Sequence, residues 1–317
     1  MRLPRSRGVL SAWLIDLLSA APDGAELPAA PVSDGRDDEA ITLWILHELH
    51  YRGFDGVDDR WEWHPGTMTV RNTLETALEQ RLRERYAAAD VPRSDDLVAD
   101  LQALVAADTG PSLAKQVQQH RSRDETDTLL RQRSVYHLKE ADPTSWVVPR
   151  LSARPKAALL EVQFDEYGNG DPTRLHHALF ATGLRASGLS DDYGAYIDET
   201  LPAVLEQNNA LSMFGLQRRL RGAALGHLAA FEATSSIPSR QLAQGLRRLG
   251  FPDEMAGYYD EHVEADAVHE QLALRDVCLV LVEEEPHLAD DVRFGAWACL
   301  DLEHHTADAV LDLWAAA

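Results

Sequence analysis

The amino-acid sequence predicts an all-α fold, and two observations support that prediction. Leu, Ala, Arg and Glu, which are good helix formers, fill long windows in which apolar residues recur at helical spacing. Segments in which Val, Ile and Thr alternate with polar residues, as they do in β-strands, are scarce. Proline and glycine divide the helical windows at intervals, so the expected architecture is a bundle of connected helices.

The N-terminal part of the chain, residues 1–124, is predicted to be a helical extension that packs on the rest. Its predicted helices are 8–20, 37–52, 69–87, 94–106 and 111–121. His47 and His50 have the chemistry of metal ligands, but the HExxH spacing of zinc proteases is absent. We therefore interpret this segment, with Trp61 and Trp63 that follow it, as packing against the core.

The C-terminal part, residues 125–317, is predicted to form the core of the fold. Its predicted helices are 125–138, 155–167, 172–187, 199–208, 211–233, 239–249, 252–273, 274–284, 287–302 and 305–315. Pro238 and Pro286 are interpreted as helix breaks, because proline lacks the N–H that a helix interior requires. Gly168 and Gly170 predict a turn between two helices.

The composition indicates a globular protein and argues against two classes of partner. The chain has 317 residues, of which 45% are hydrophobic and 26% are charged, which suffices for a well-buried core. The formal net charge of −22 would repel the phosphate backbone of a nucleic acid. No stretch reaches the roughly 18 apolar residues of a membrane helix. We therefore expect neither nucleic acid nor a membrane as a partner.

The termini and cysteines favour a cytoplasmic location. The apolar run after the basic N-terminus is interrupted early by Asp16, and no convincing cleavage site for a signal peptide follows. Cys278 and Cys299 are far apart and have no His or Cys at metal-ligand spacing. We expect Cys278, which lies in an apolar run, to be a buried thiol, and a reducing compartment fits the two cysteines.

The most informative motif lies in the predicted helix 252–273. His262, Asp266 and His269 fall at i, i+4 and i+7, so they share one face of the helix over about two turns. Imidazole and carboxylate are ligand types that hold iron, manganese or zinc in proteins. A solvated acidic face would give the same spacing, so further ligands from other helices are needed to decide.

Three further segments offer the same chemistry. Glu166 ends a predicted helix, and a glycine turn leads from it to His176. Glu232 lies among apolar and small residues, where an unpaired buried carboxylate costs several kcal/mol and requires a cation or a hydrogen-bonding partner. Glu140 precedes an Ala-Asp-Pro turn. A helical bundle can bring such residues together, and carboxylates with one histidine per metal are the ligands of dinuclear iron or manganese sites.

The order of these residues resembles that of the heme-oxygenase-like diiron oxidases and oxygenases, and of the bacterial proteins called iron-containing redox enzymes. The resemblance covers about residues 125–305 and includes the phrases Tyr136-His-Leu-Lys-Glu140, Asp165-Glu-Tyr-Gly168, Gly226-His-Leu-Ala-Ala-Phe-Glu232 and Glu261-His-Val-Glu-Ala-Asp-Ala-Val-His-Glu270. It implies the metal ligands Glu166, His176, Glu232, His262, Asp266 and His269, with Glu232 as the carboxylate that bridges both metals.

Some assignments within this resemblance stay open. Either Glu140 or Glu161 would supply an additional, seventh ligand. The glycine-rich insertion between Glu166 and His176 is longer than in the simplest members, which leaves His177 as a competitor of His176. The candidates for orienting the histidine ligands are Tyr167, Tyr258, Tyr259 and His227. Arg218, Arg219 and Arg221 are candidates for binding an anionic group, although a surface position suits them better.

The resemblance also implies an activity. It implies a heme-oxygenase-like helical bundle without heme, holding two Fe(II)/Fe(III) ions and using O2 as co-substrate. Similar members hydroxylate amine nitrogens, or cleave or desaturate amino-acid and fatty-acid chains, so a small organic substrate is expected. No catalytic residue is predicted beyond the metal ligands, which would also suit manganese. An external electron donor and a homodimer are compatible with the family.

Two other functions compete with this one. The first is a metal-binding helical protein with a storage, regulatory or partner-binding role and no O2 chemistry. The second is a metal-free protein on the same fold, similar to thiamin-degrading relatives, which use a cysteine nucleophile. Neither Cys278 nor Cys299 lies near the candidate ligands in the sequence, which counts against the second alternative.

Overall fold

A computed structural model describes residues 1–22 and 27–316, and within these ranges it describes every side chain except those of residues 264–268. The predicted ligand Asp266 therefore lies outside the described side chains. Every regular element in the described ranges is helical and no strand occurs among them, which confirms the all-α prediction. No helix in the same ranges is long and apolar enough to cross a membrane.

The α-helices, numbered in chain order, account for most of the chain. They are α1 (Val9–Leu18), α2 (Arg36–Glu48), α3 (Pro65–Ala88), α4 (Leu97–Ala106), α5 (Leu113–Gln119), α6 (Arg123–His137), α7 (Asp142–Ser145), α8 (Ala153–Glu166), α9 (His176–Ala186), α10 (Pro202–Leu216), α11 (Arg221–Arg248), α12 (Asp253–Gln271), α13 (Val280–Glu284) and α14 (Ala289–Ala316). A π-helical segment, Leu272–Leu279, joins α12 to α13. Short 3₁₀ turns connect several of the others.

Helix α11 is the central element of the bundle, because it packs along α12, α14 and α5. It meets α14 at two glycines. A Cβ atom added to Gly226 would lie 1.9 Å from the Val292 carbonyl oxygen, and one added to Gly295 would lie 1.9 Å from that of Ala223. Larger residues at these positions would force the two backbones apart, so the glycines set the distance between α11 and α14.

The N-terminal helices share a hydrophobic core with the C-terminal ones. Leu14 of α1, Ile45 of α2 and Leu82 of α3 are fully buried and belong to the same apolar cluster as Phe214 and Phe294. Helix α2 packs on α10, which anchors this part of the chain to the bundle. The boundary between an extension ending at residue 124 and a core beginning at residue 125 stays a prediction.

The packing role predicted for the segment around His47 agrees with its contacts. His47 is fully buried, and its Nε2 atom lies 3.0 Å from the Glu75 Oε1 atom of α3. Trp61 is buried as well. The prediction was wrong for Trp63, which is 59% exposed and has its ring tilted against that of His50 near the surface.

Several predicted helix breaks were also wrong. Helix α11 continues through Pro238, whose missing N–H removes only one hydrogen bond while the buried residues Leu242 and Leu246 keep the following turns packed. The chain is also helical near residues 209 and 303, where breaks were predicted, because these positions lie inside α10 and α14. Pro286 does separate two helices, as predicted.

Candidate metal centre

The interior of the bundle brings together six of the predicted ligands in two groups of three. The first group is Glu140, His176 and His262, and the second is Glu166, Glu232 and His269. Within each group, one ligand atom from every residue lies within 4.8 Å of the other two. All six side chains are buried or nearly so.

Four helices and one turn carry these residues. Glu140 lies in the turn after α6, Glu166 is the last residue of α8, and His176 is the first of α9. Glu232 lies in the middle of α11, where small apolar neighbours let the helix pack closely. His262 and His269 lie on one face of α12, as their spacing predicted.

A left-handed turn places His176 next to Glu166. Gly168, Asn169 and Gly170 have φ values of 71°, 55° and 85°, which glycine and asparagine adopt with less strain than other residues. The Asn169 side-chain amide donates a hydrogen bond to Asp165 at 2.7 Å. A Cβ atom on Gly168 would lie 2.6 Å from the backbone of Arg174, so the chain folds back tightly just before His176.

Replacing Gly168 by alanine should therefore displace His176 and lower the iron content of the protein. The matched control is Gly170→Ala, because Gly170 has a similar φ of 85° and no atom within 4 Å of its added Cβ. The control should lose only about 1–2 kcal/mol of stability, the cost of a left-handed alanine. Iron content and urea unfolding measured on both variants check this, and equal iron loss in the two would contradict it.

Two pairs of candidate ligands lie at distances that fit a common ion. One pair joins the two groups, and the other lies within the second group. The His176 Nδ1 atom lies 3.1 Å from Glu166 Oε2, and the His269 Nδ1 atom lies 3.5 Å from Glu232 Oε2. Neither ring nitrogen is aligned for a hydrogen bond to any described residue. Nitrogen and oxygen ligands at about 2.0–2.2 Å from one metal lie about 3 Å apart when they are at right angles. The two pairs therefore have the separation that a shared cation produces.

The electrostatics of the cluster also favour a cation. Burial, reinforced by the charge of Glu166, raises the pKa of Glu140 to about 7. Burial lowers the pKa of His176, but the nearby Glu166 carboxylate outweighs it and raises that pKa to about 9. Several buried carboxylates close together attract positive charge, either as protons or as metal ions. The residues present thus fit the iron that the resemblance implies.

Two candidate histidine ligands have a polar contact at their other ring nitrogen, a hydrogen bond for His262 and an ion-pair contact for His269. The His262 Nδ1 atom lies 2.9 Å from the Tyr258 carbonyl oxygen, which leaves Nε2 facing Glu140. The His269 Nε2 atom lies 3.2 Å from Asp165 Oδ2. Such contacts fix the tautomer and the orientation of a metal-binding imidazole. The contact of Asp165 with His269 was missed in the sequence, where its position beside Glu166 was the available signal.

Glu140 is oriented by two further residues. The Tyr258 hydroxyl donates a hydrogen bond to Glu140 Oε2 at 2.6 Å, and His137 Nδ1 lies 3.1 Å from the same oxygen. Tyr258 was predicted as an orienting residue. His137 was missed, although its position three residues before Glu140 places it on the same side of the chain. The Oε1 atom of Glu140 is buried and has no hydrogen-bond partner among the described residues.

Changing Tyr258 to phenylalanine should lower the affinity for iron by about 10–100-fold, because the Glu140 carboxylate would lose its orienting hydrogen bond. Tyr259 supplies the matched control. It is also buried, but its hydroxyl has no partner in the described part of the chain, so Tyr259→Phe should leave the affinity nearly unchanged. Anaerobic titration with Fe(II) measures both. Equal affinities in the two variants would sink the assignment.

The residues that the sequence left as alternatives lie in different positions in the structure. Glu140 lies in the first group, whereas Glu161 is exposed on α8. His176 also lies in that group, whereas His177 is outside both groups.

Other residues predicted to support the site have different contacts. Tyr167 bonds to Asp142 and Ser145 rather than to a candidate ligand. His227 lines a small cavity beside Glu232. Arg218, Arg219 and Arg221 border neither the cavity beside Glu232 nor the larger one that reaches His262. Arg219 and Arg221 form ion pairs with Glu79 and Glu285.

Two cavities reach the metal-ligand cluster. A cavity of about 30 Å³ is bordered by Glu140, Glu166, Glu232 and His262, which is room for a molecule about as small as water or O2. A cavity of about 170 Å³ extends from His304 to His262. Inside it, Arg133 forms an ion pair of 3.2 Å with Glu303. Arg133 was missed in the sequence, although it lies one helical turn before His137.

Both cysteines are buried, as was predicted for Cys278. Cys278 has a pKa that burial raises to about 12, and its thiol lies 3.3 Å from the Leu225 carbonyl oxygen. Cys299 lines the larger cavity, and burial raises the pKa of its thiol as well. A thiol that stays protonated is a weak nucleophile, so neither cysteine has the properties that the metal-free alternative requires.

Comparison with known proteins identifies the family. A family model described as "Iron-containing redox enzyme", of the heme-oxygenase type, matches residues 127–304, which is more than half of the chain. No curated protein matches the sequence. The match includes all the predicted ligands and supports an iron-dependent oxidoreductase. The chain belongs to the family of iron-containing redox enzymes and has their heme-oxygenase-like, all-α fold.

Proposed function

We propose that this protein is a non-heme diiron oxidase or oxygenase, which uses O2 to oxidise a small organic substrate. The observation that carries the proposal is the pair of buried three-residue groups, each with at least one carboxylate and one imidazole. Glu166 belongs to the second group and also lies 3.1 Å from His176 of the first. One heme would need a single axial ligand and a flat apolar pocket, whereas this cluster offers six ligands for small ions.

In this proposal, Glu140, His176 and His262 would hold one ion, and Glu232 and His269 would hold the other. Glu166 would contribute to both positions, and the resemblance gives a bridging role to Glu232. Two iron ions in these positions would supply the electrons and the Lewis acidity for the reduction of O2. Asp266 follows one helical turn after His262 and completes the ligand set implied by the family.

The protein residues contribute orientation, proton control and exclusion of water. The Tyr258 hydroxyl donates a hydrogen bond to the Glu140 carboxylate and so fixes its orientation. The contact of Asp165 with His269 fixes the orientation of that imidazole ring. The cavity bordered by Glu232 and Glu140 has a volume of only about 30 Å³, and Leu228 and Phe231 form part of its wall, so it leaves little room for water beside the cluster. A dry, preorganised site strengthens the electrostatic interactions that the chemistry uses.

The cavity of about 170 Å³ is the proposed binding site for the organic substrate. It reaches His262, so a bound molecule would lie against the metal centre. Phe231, Leu242 and Pro238 give it apolar walls, and the Arg133–Glu303 pair gives it one cationic and one anionic group. These features suit a small molecule with an apolar body and a polar or charged end, and an amine or amino acid is therefore a better candidate than a plain hydrocarbon.

Measurement of O2 consumption tests the activity. Protein loaded anaerobically with Fe(II) would be mixed with O2 in an electrode cell, alone and with panels of amines, amino acids and fatty acids. We expect O2 uptake that depends on iron and is faster in the presence of at least one of these compounds. Mass spectrometry should detect an oxidised product of that compound. Protein loaded with Mn(II) is the comparison for metal identity. Bound iron that consumes no O2 under any condition would favour the metal-binding role without O2 chemistry.

A further inference from the structure

A second large cavity lies between the N-terminal helices and the core. It has a volume of about 240 Å³, and none of the six candidate metal ligands lines it. Its walls come from α2, α3, α10 and α14. The residues that matter for its chemistry are Arg36, Glu39, Arg81, Arg85 and Glu206, with the apolar side chains Leu43, Leu74, Leu78 and Leu302.

The arginines of this cavity are incompletely paired. Arg36 is exposed and has neither a hydrogen bond nor an ion pair with any residue that the structure describes. Arg81 is paired only with Glu39, at 3.6 Å, and its buried Nε atom has no described partner. The Nε atom of Arg85 is likewise buried without a described partner. Buried polar groups of a protein are normally hydrogen-bonded, so these guanidinium groups have spare capacity for an acceptor.

The glutamates of the cavity are each paired with one of its arginines. Glu39 accepts a hydrogen bond from the Ser33 hydroxyl at 3.0 Å and is paired with Arg81. Glu206 is paired with Arg85 at 3.3 Å. A cationic ligand would have to compete with these arginines, whereas an anionic ligand would meet Arg36 without a competitor. Guanidinium groups bind carboxylate and phosphate oxygens in pairs, which makes an anion the natural occupant.

The remaining walls are apolar. Leu43 of α2, Leu74 and Leu78 of α3 and Leu302 of α14 are all buried or nearly so and face the same space. An inorganic ion would leave this leucine surface uncovered, whereas an alkyl or aromatic group would bury it at about 25 cal/mol per Å². The whole protein carries a net charge of −22, so an anion binds here only where arginines are concentrated.

We propose that this cavity is a binding site for a small amphipathic anion, which carries one carboxylate or phosphate group on a short apolar chain. The anionic group contacts Arg36 and Arg81, and the chain lies on the leucines of α2 and α3. The site is separate from the metal centre, and its occupation requires neither iron nor O2. A ligand here bridges the N-terminal helices and the core.

Isothermal titration calorimetry on the full-length protein, with and without iron, tests the proposal. The probes are octanoate, octyl phosphate, octylamine and inorganic phosphate. We expect octanoate or octyl phosphate to bind once per chain, and the tighter of the two identifies a carboxylate or a phosphate ligand. Octylamine and inorganic phosphate should bind at least about tenfold more weakly, since each lacks one of the two required parts.

Point variants locate the site. Arg36→Gln and Arg81→Gln should each weaken binding of the preferred probe by about tenfold or more. Arg36 is exposed, so its replacement should leave folding intact. Arg240→Gln, at another exposed arginine, is the control and should bind as the parent does. Parent-like binding by the Arg36 and Arg81 variants would overturn the proposal. So would a loss of binding confined to Arg133→Gln, which would place the anion in the cavity beside His262.

Discussion

Replacing Glu166 by alanine should remove most of the iron from both positions of the metal centre. Glu166 is the last residue of α8, belongs to the second ligand group and lies 3.1 Å from His176 of the first. Its loss also leaves His176 and His269 with less negative charge nearby. We expect bound iron to fall from about two ions per chain to fewer than one, with loss of iron-dependent O2 consumption.

Two variants make this result specific to Glu166. Glu161→Ala changes a carboxylate on the same helix, but Glu161 is exposed and outside both groups, so its iron content should equal that of the parent. His269→Ala removes a ligand of the second group alone and should lower iron less than Glu166→Ala does. Iron measured by colorimetric assay after desalting gives all three values. A Glu166 variant that retains about two irons per chain would contradict the proposal that this carboxylate contributes to both iron positions.

The second large effect is expected for Glu48→Ala, which should lower the free energy of unfolding by about 3–5 kcal/mol. Glu48 of α2 is fully buried, forms an ion pair with the nearly buried Lys139, and accepts a hydrogen bond from the Tyr193 hydroxyl at 2.8 Å. Removing the carboxylate leaves the Lys139 ammonium buried without its counter-charge. Because Lys139 precedes Glu140, the variant should also bind iron more weakly.

Urea unfolding of the iron-free protein measures this effect. The double variant Glu48→Leu with Lys139→Met removes both charges and should recover most of the lost stability, since apolar replacement of a whole buried pair is often close to neutral. An exposed pair supplies the control. Glu283 is 54% exposed and paired with Arg154, so Glu283→Ala should change stability by less than about 1 kcal/mol. Equal losses for the Glu48 and Glu283 variants would refute the role of burial.

The parts of the site that could be predicted from the sequence are those set within one helix. The spacing of His262 and His269 fixes a common face of α12 because the helical period is constant. Glu232 was recognisable because its neighbours are small and apolar, which makes an unpaired carboxylate costly. Asp266 belongs to the same sequence pattern, and its ligand role stays a prediction.

Contacts between distant elements could not be predicted in this way. Arg133 and Glu303 are 170 positions apart and meet only because α6 and α14 face one cavity. The contact of Asp165 with His269 depends likewise on how the end of α8 approaches α12. No local pattern encodes such distances, which follow from the packing of whole helices.

The helix boundaries show the same limit. Pro238 predicted a break from its missing N–H, yet α11 continues through it, since buried residues on both sides hold the helix against its neighbours. Tertiary packing outweighs one lost hydrogen bond. Gly168 was recognisable as part of a turn, but its close approach to the Arg174 backbone, which positions His176, became evident only from the structure.

The most direct test of the central claim is the number and coupling of bound iron ions. Apoprotein would be titrated anaerobically with ⁵⁷Fe(II), freed of excess metal, and examined by iron assay and Mössbauer spectroscopy before and after exposure to O2. The two ligand groups predict about two irons per chain and, after oxidation, a magnetically coupled iron pair that both Glu166→Ala and His262→Ala abolish. A single iron with an uncoupled spectrum, or no iron, would contradict a dinuclear centre.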